Sequence, residues 1–132
     1  MTSGSPEPRW LGAAIVLAVH DRQLAEHGGG SGTRDQGLLE SALAHPRNLW
    51  AFGTPDLPGL AAAYAFGIAR NHPFIDGNKR TAWVLARLFL ALNGVDLDYT
   101  PEDAIGAMVA LAAGELSEEE TASWFRERVA ED

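Results

Sequence analysis

The sequence predicts an all-α protein, folded as a compact single-domain helical bundle around two central buried helices at about 57–71 and 78–93. Both segments are apolar on nearly every side, which is the pattern of helices that lie in a protein core. The chain has 132 residues, of which 46% are hydrophobic, so it can bury one sizeable core. Alanine is its commonest residue, and alanine favours helices that approach one another closely.

The first residues, MTSGSPEPRW, are polar and rich in proline and serine, so they predict a disordered lead-in at 1–10 before a single domain at 11–132. An amphipathic helix is predicted next, at about 11–27. It ends at the glycine run 28–32, which favours a flexible turn. Three apolar residues are predicted to share the buried side of this helix: Ile15, Val19 and Leu24.

A short second helix is predicted between Asp35, a good N-cap residue, and Ala44. Pro46 should close this helix, because proline removes a backbone hydrogen bond inside a helix. Residues 46–55 are then predicted to form a loop. Two aromatic side chains of this loop are predicted to pack over the core, with a flap or lid as the alternative: Trp50 and Phe52.

Capping signals mark the remaining helices. The first central helix is predicted to begin after Asp56, and Gly94 is the natural end of the second. After a short extended piece at 95–98, two more helices begin with capping sequences at Thr100 and Ser117. The last of them is predicted to turn three side chains inward: Trp124, Phe125 and Val129.

Composition and charge exclude several classes of protein. The chain has no cysteine, which excludes a disulfide framework and a thiolate zinc site. With 18 acidic and 10 basic side chains, its formal net charge of −8 disfavours direct binding to nucleic acid. The apolar run at 11–19 is shorter than the roughly 20 residues of a membrane span, and it lacks the basic leader of a signal peptide. The sequence therefore predicts a cytoplasmic protein that binds neither nucleic acid nor a membrane.

A polar segment at 71–81 joins the two central helices and carries an unusual set of side chains. Lys79 and Arg80 fall in the opening turn of the second central helix, where the helix dipole disfavours each cation by about 0.3–1 kcal/mol. Gly77 and Asn78 precede them, and glycine lets a backbone approach a ligand closely. Because a bound anion would reverse the unfavourable effect of these charges, we predict a phosphate cradle.

Two more polar side chains of this segment suit catalysis. His72 ends the first central helix, and a neutral imidazole beside an anion site can act as general base on a hydroxyl group. Asp76 could supply the single carboxylate with which Mg²⁺ is held beside phosphate oxygens, or it could act as an N-cap. Phe74 and Ile75 are predicted to be core anchors.

A structural loop is the alternative to a nucleotide-phosphate site at 71–81. A P-loop is excluded because no strand precedes the segment and the order of its residues differs from that motif. A zinc pair of the His-Glu-x-x-His type is absent as well, because Pro73 takes the chain out of the helix after His72.

This segment resembles the central motif of the Fic/Doc superfamily, for which the pattern is roughly H-P-F-x-[D/E]-G-N-G-R. The residues that carry the resemblance are His72-Pro73-Phe74-Ile75-Asp76-Gly77-Asn78-Lys79-Arg80. The similarity extends to the stretches 33–43, 61–70 and 89–94, so it covers nearly the whole chain after the first ten residues. It implies a helical bundle of the Fic/Doc type.

At one position the chain departs from this pattern, and there it resembles the Doc, or death-on-curing, toxin branch of the superfamily. Fic adenylyltransferases have a glycine where this chain has Lys79, its only lysine, and that glycine makes room for the α- and β-phosphates of ATP. Lysine is the Doc pattern, in which the γ-phosphate lies in the cradle. The resemblance thus implies a toxin that phosphorylates a threonine or serine of a translation factor, with elongation factor Tu as the expected target. The alternatives are nucleotidyl transfer of the Fic type and a non-catalytic adaptor with the same fold.

The resemblance also implies a role for each polar residue of the motif. His72 would be the general base, and Asp76 would hold Mg²⁺ and orient the attacking group. The catalytic residues implied in this way are His72, Asp76, Lys79 and Arg80. The residues that would bind the phosphates of ATP are Gly77, Asn78, Lys79 and Arg80. Lys79 and Arg80 would neutralise the charge that develops in the transition state, and such neutralisation is the main source of catalysis in phosphoryl transfer.

The resemblance further implies a partner. Doc proteins are held in check by a separate antitoxin of the Phd type. Some Fic proteins instead carry an inhibitory motif, [S/T]-x-x-x-E-[G/N], which Ser3 to Glu7 followed by Pro8 approaches without completing it. Because proline stands where glycine or asparagine is required, intrinsic inhibition of that kind is not predicted.

Overall fold

A computed structural model describes residues 6–131 of the chain. Within that range there are six α-helices, and β-pairing is limited to two isolated bridges, so the prediction of an all-α bundle is confirmed. The helices are α1 (Ala13–His27), α2 (Gln36–Phe52), α3 (Leu57–Asn71), α4 (Asn78–Leu92), α5 (Pro101–Ala113) and α6 (Glu118–Glu127). In the described range no helix is both long and apolar enough to cross a bilayer.

The two central helices are α3 and α4, and their bounds agree with the prediction to within one residue. Along α3 almost every residue from Leu60 to Ala69 is buried, and α4 buries one whole side against it. The segment 72–77 between them is therefore anchored at both ends in the most deeply buried part of the molecule. This placement positions the polar motif on a rigid support.

The predicted caps are present. The Asp56 carboxylate accepts a hydrogen bond from the N–H of Gly59 (2.9 Å) at the start of α3. At the start of α6, Ser117 and Glu120 form the reciprocal pair of bonds that defines a capping box. Such side chains satisfy backbone donors that a helix leaves unpaired in its first turn.

The prediction that Pro46 ends the second helix is wrong, because α2 continues through it to Phe52. Proline inside a helix costs about 3 kcal/mol. The cost is offset by burial of Pro46 itself and by packing of the next turn, in which Leu49 and Trp50 contact the core. A fully buried large apolar side chain contributes about 1.5–3 kcal/mol, and the half-buried Leu49 and Trp50 each contribute part of that amount. The predicted loop at 46–55 is consequently helical over most of its length.

Several predicted core residues lie at the surface instead. Phe52 is 89% exposed, whereas Trp50 packs against the core as predicted. On α1 the fully buried residues are Val16 and His20; of the three predicted residues, Val19 and Leu24 are half-buried, whereas Ile15 is 47% exposed. Val129 lies beyond α6, where it forms an isolated bridge with Leu97.

Part of the predicted lead-in packs against the bundle. Its first five residues lie outside the described range. Among the others, Pro8 is buried and the N–H of Arg9 donates to the side-chain oxygen of Asn93 (2.8 Å). The ring of Trp10 stacks on Phe89 with 6.1 Å between ring centroids. Residues 8–10 therefore contact the domain that the sequence predicts to begin at residue 11.

A close contact between α2 and α3 leads to a stability prediction. A Cβ atom built on Gly67 would lie 2.7 Å from the Cβ and 2.9 Å from the Cα of Ala42. We expect Gly67→Ala to lower the free energy of unfolding by about 1–3 kcal/mol, because the two helices must separate to admit the methyl group. Urea unfolding followed by circular dichroism measures this change.

The matched control is Gly106→Ala on α5, where no atom lies within 4 Å of the added Cβ. There the better helix propensity of alanine should raise stability by about 0.5–1 kcal/mol. A Gly67→Ala protein as stable as the Gly106→Ala protein would contradict the close approach of α2 to α3.

Candidate functional site

The polar segment begins with His72, whose backbone has an unusual conformation. His72 caps the end of α3 with φ 51° and ψ 58°, and it is the only non-glycine residue with positive φ in the described range. The left-handed conformation costs a non-glycine residue about 1–3 kcal/mol, so it persists only where surrounding contacts enforce it. The His72 side chain is exposed and available to a substrate.

Three successive carbonyl groups at this helix end are held by one neighbouring segment. The Arg34 guanidinium donates from Nε to the carbonyl of His72 (2.7 Å) and from Nη2 to that of Asn71 (2.8 Å). The backbone N–H groups of Arg34 and Asp35 both donate to the carbonyl of Pro73 (2.7 and 3.0 Å). The segment that follows the glycine run is thus attached to the motif loop.

Asn78 closes the loop from the other side. Its side-chain oxygen accepts from the N–H of Phe74 and its side-chain nitrogen donates to the carbonyl of Phe74, both at 3.0 Å. Asn78 is buried, so these bonds hold the loop in a compact ring. This geometry assigns the side chain a structural role and does not support the prediction that it binds phosphate. The position still contributes a backbone N–H in the first turn of α4.

Phe74 anchors the loop as predicted, but Ile75 does not. Phe74 is 1% exposed, and its ring stacks face to face on His20 with 3.8 Å between centroids. The predicted core anchor Ile75 is 57% exposed and lies over Gly30 and Gly32 of the glycine run instead. Phe74 forms an isolated β-bridge with Thr33, so the chain is extended here. Successive side chains of an extended chain point to opposite sides, so Ile75 points away from the core when Phe74 points into it.

His20 of α1 contacts the motif loop through a hydrogen bond to its backbone. It is a buried histidine, and its Nε2 lies 2.8 Å from the carbonyl oxygen of Asp76. A carbonyl can only accept, so Nε2 carries the proton and donates it to this bond. His20 therefore ties α1 to the backbone of the motif at the residue before Gly77.

The Asp76 side chain lies at the surface and is held by backbone donors. One carboxylate oxygen accepts from the N–H of Gly77 (2.9 Å) and the other from the N–H of Gly30 (3.3 Å). These two bonds, with a smaller contribution from Arg80 and Lys79, lower the pKa of Asp76 below its usual value. Asp76 is thus ionised at neutral pH, as a ligand of a hard divalent cation must be. In the described range no three carboxylate or imidazole groups cluster as a metal site, so such a cation would need further oxygen ligands, as phosphate oxygens and water supply to Mg²⁺.

The first turn of α4 has the features of an anion site. Gly77 is its N-cap with φ 75°, and no side chain caps the helix there, in contrast to α2, α3, α5 and α6. Lys79 and Arg80 are exposed in this turn, and neither forms an ion pair with another residue in the part of the chain that the structure describes. Backbone donors, the positive end of the helix dipole and two cations meet at one place.

The other two arginines of the stretch 70–87 are engaged elsewhere. Arg70 donates from Nε to the carbonyl of Leu111 (2.8 Å) and from Nη2 to that of Leu116 (3.1 Å). The Arg87 guanidinium lies 5.6 Å from the ring centroid of Tyr99. The free positive charge at the start of α4 is therefore that of Lys79 and Arg80.

Sequence reasoning missed two residues that hold the site, His20 and Arg34. His20 follows Val16 by four residues, so the helical period could have placed both on the buried face of α1. No comparable local signal exists for Arg34, whose contacts are with residues 37 and 38 positions away in the chain.

The depressed pKa of Asp76 predicts how its contribution to stability depends on pH. The folded state favours the ionised carboxylate, so this contribution is present above the ordinary aspartate pKa and is lost as pH falls through the lower folded value. We expect Asp76→Asn to lower the melting temperature at neutral pH. The difference from wild type should shrink below about pH 4 and then vanish. A difference that stays constant between pH 7 and pH 2 in calorimetry would contradict this assignment.

Comparison with known proteins adds an independent line of observation. A model of the Fic/DOC family matches residues 10–90. The chain is 48% identical over 73 residues to "Toxin Doc" of Mycolicibacterium smegmatis, a match that covers 53% of this chain and about half, 55%, of that protein. It is 37% identical over 119 residues to "Protein kinase doc" of Escherichia phage P1, and that match covers 89% of this chain and 94% of the phage protein.

Proposed function

Because the chain belongs to the Fic/DOC family and to its Doc branch, we propose that it is a Doc-like toxin with protein kinase activity. It would transfer the γ-phosphate of ATP to a threonine or serine hydroxyl of a translation factor, and thereby arrest translation. Elongation factor Tu is the target that we propose. The names of the two relatives, a toxin and a protein kinase, support this assignment.

The observation that carries the proposal is the first turn of α4, which has no side-chain cap and bears two cations that form no ion pair with the described residues. Apart from the attraction of the nearby Asp76 carboxylate, no ion pair among the described residues offsets the unfavourable position of Lys79 and Arg80 at the positive end of the helix. A triphosphate would offset it, because the phosphates accept from the free N–H groups and neutralise both charges. Arg80 can hold two phosphate oxygens at once, whereas Lys79 acts as a point charge.

The remaining side chains fit the chemistry of phosphate transfer. His72 would take the proton from the attacking hydroxyl as general base. Asp76, which is ionised and exposed, would hold Mg²⁺ together with phosphate oxygens. When bound, Mg²⁺ would offset the charge of the triphosphate. Lys79 and Arg80 would stabilise the charge that develops on the transferred group.

Lys79 also bears on the direction in which the nucleotide lies. Its side chain occupies the place at which the adenylyltransferases that this motif resembles have glycine. A lysine there leaves less room for the α- and β-phosphates, and it adds a cation for a terminal phosphate group. We therefore propose γ-phosphate transfer in preference to transfer of AMP.

We also propose an antitoxin of the Phd type as the partner of this chain, on the basis of its similarity to a protein named as a toxin. Inhibition by a separate protein is consistent with the sequence, because the inhibitory motif of some Fic proteins is absent from it. The antitoxin would have to cover the exposed His72 or the start of α4.

A labelling experiment tests the proposed reaction. The protein is incubated with Mg²⁺, elongation factor Tu and ATP labelled on either the γ- or the α-phosphate. We expect label on elongation factor Tu from γ-labelled ATP alone, and no label with the His72→Ala protein. Transfer from α-labelled ATP would instead show nucleotidyl transfer. A growth defect that His72→Ala leaves unchanged, without transfer of either label, would show a non-catalytic adaptor.

A further inference from the structure

We propose that Arg34 is a positioning residue for the catalytic histidine. It holds His72 in the left-handed backbone conformation from which the imidazole is presented to the substrate. This inference rests on the proposed function for the role of His72, and on contacts of the described residues for everything else.

The contacts of Arg34 converge on the one turn of chain that bears His72. Its guanidinium donates to the carbonyl of His72 (2.7 Å) and to that of Asn71 (2.8 Å) with two different nitrogen atoms. These carbonyls lie at the end of α3, where a helix leaves acceptors unpaired and where its dipole attracts a cation. Two charge-assisted bonds to adjacent carbonyls fix the orientation of both peptide groups that flank the Cα of His72.

The backbone of His72 needs such a constraint. Because proline follows it, His72 is disfavoured in the right-handed helical conformation, and an extended conformation is the ordinary choice. It adopts φ 51° and ψ 58° instead, which is a conformation that glycine would take more readily. The Arg34 bonds require both carbonyls to point toward the same guanidinium. In an extended His72 the two carbonyls would point in opposite directions, so Arg34 selects the left-handed state.

The side chain of Arg34 has this role separately from its own backbone. The N–H groups of Arg34 and Asp35 bond to the carbonyl of Pro73, and the N–H of Ile75 donates to the carbonyl of Gly32 (3.1 Å). These bonds hold the two segments together without any side chain. Removing the guanidinium would therefore release His72 while the loop stays attached.

Lysine would be a poor substitute for Arg34. An ammonium group on a flexible stem is a point charge, whereas the planar guanidinium offers several donors in a fixed geometry. Arg34→Lys should therefore retain the favourable charge at the helix end without holding both carbonyls at once. This difference separates positioning of His72 from simple electrostatic stabilisation of α3.

The test compares Arg34→Ala and Arg34→Lys with the wild-type protein and with a matched control. The control is Arg126→Ala, because Arg126 also bonds through Nε and Nη2, in this case to the Asp56 carboxylate (2.7 and 3.1 Å). Asp56 caps the start of α3 and His72 caps its end, so the control removes a similar pair of bonds about 22 Å away.

Two readouts are used. The first is the one-bond Cα–Hα coupling of His72 measured by NMR, which responds to the sign of φ and needs no activity. The second is kcat and KM for ATP in the phosphorylation assay. We expect Arg34→Ala to change the coupling and to lower kcat by about 10²-fold, with KM for ATP nearly unchanged because the start of α4 is untouched. For Arg34→Lys, both the coupling and kcat should lie between those of the wild type and of Arg34→Ala. Arg126→Ala should alter neither readout.

The outcomes separate this inference from the proposed function. If the wild-type protein transfers no phosphate, the proposed function fails, and the coupling alone decides whether Arg34 holds His72. An unchanged coupling in Arg34→Ala overturns the inference, as does an unchanged kcat in an active enzyme. If Arg34→Ala does not fold, Arg34→Lys decides in its place, since it keeps the charge at the end of α3.

Discussion

Replacement of His72 by glycine is expected to abolish phosphate transfer and, at the same time, to make the protein more stable. The imidazole is the proposed general base, and loss of such a group lowers turnover by about 10²–10⁴-fold. His72 also has a left-handed backbone that glycine adopts without strain. Glycine should therefore raise the free energy of unfolding by about 1 kcal/mol, since the bonds from Arg34 go to backbone carbonyls that glycine retains.

Two measurements on the same preparation check this expectation: the rate of label transfer from γ-labelled ATP and the midpoint of urea unfolding. His72→Ala is the companion variant, for which we expect the same loss of turnover without the gain in stability. His27→Ala is the control for a histidine at the exposed end of a different helix, and it should retain full activity. A His72→Gly protein that is inactive but less stable than wild type would contradict the strain that we infer at this residue.

Replacement of Arg80 by alanine is expected to have the second largest effect. The guanidinium would contact the transferred phosphate, and removing one group that stabilises developing charge costs about 10²–10³-fold in turnover. In the absence of ATP the arginine lies at the unfavourable end of a helix dipole and forms no ion pair within the described residues. The melting temperature of the free protein should therefore not fall in Arg80→Ala.

The matched control for this variant is Arg87→Ala. Arg87 is exposed on the same helix, two turns or about 10 Å further along, and its contact is with the ring of Tyr99. It carries the same charge on the same side of α4, so a general effect of net charge would appear in both variants. Equal losses of turnover in Arg80→Ala and Arg87→Ala would show that the start of α4 is not the phosphate site.

Sequence alone predicted the parts of the fold that depend on local pattern. The central helices have apolar residues on nearly every side, and the cap of the first one, Asp56, lies in a short, readable stretch of chain. Pro46 was misjudged because its effect is decided by tertiary packing: α2 continues through it since the following turn contacts the core. Local rules for proline do not include that contribution.

The site was predictable to a similar extent. The position of Lys79 and Arg80 in a helix start, and that of His72 at a helix end, followed from the order of residues and are confirmed. The structural use of Asn78 comes from two bonds to Phe74 within the loop, whereas the exposure of Ile75 depends on the pairing of the motif loop with the segment after the glycine run. Contacts between segments so distant in sequence leave no local pattern, which is why Arg34 was not identified either.

The short ring that Asn78 closes around Phe74 has a consequence for local unfolding of the site. Functional loops are commonly the parts of a protein that unfold locally at little cost in free energy. This loop cannot do so, because Phe74 is buried and both of its ends continue into the two helices that form the core. Local melting of the site would have to expose Phe74 and disturb the ends of both central helices. We therefore expect an inhibitor of the proposed activity to act by covering a site that is already formed, so that its removal should restore activity without a refolding step.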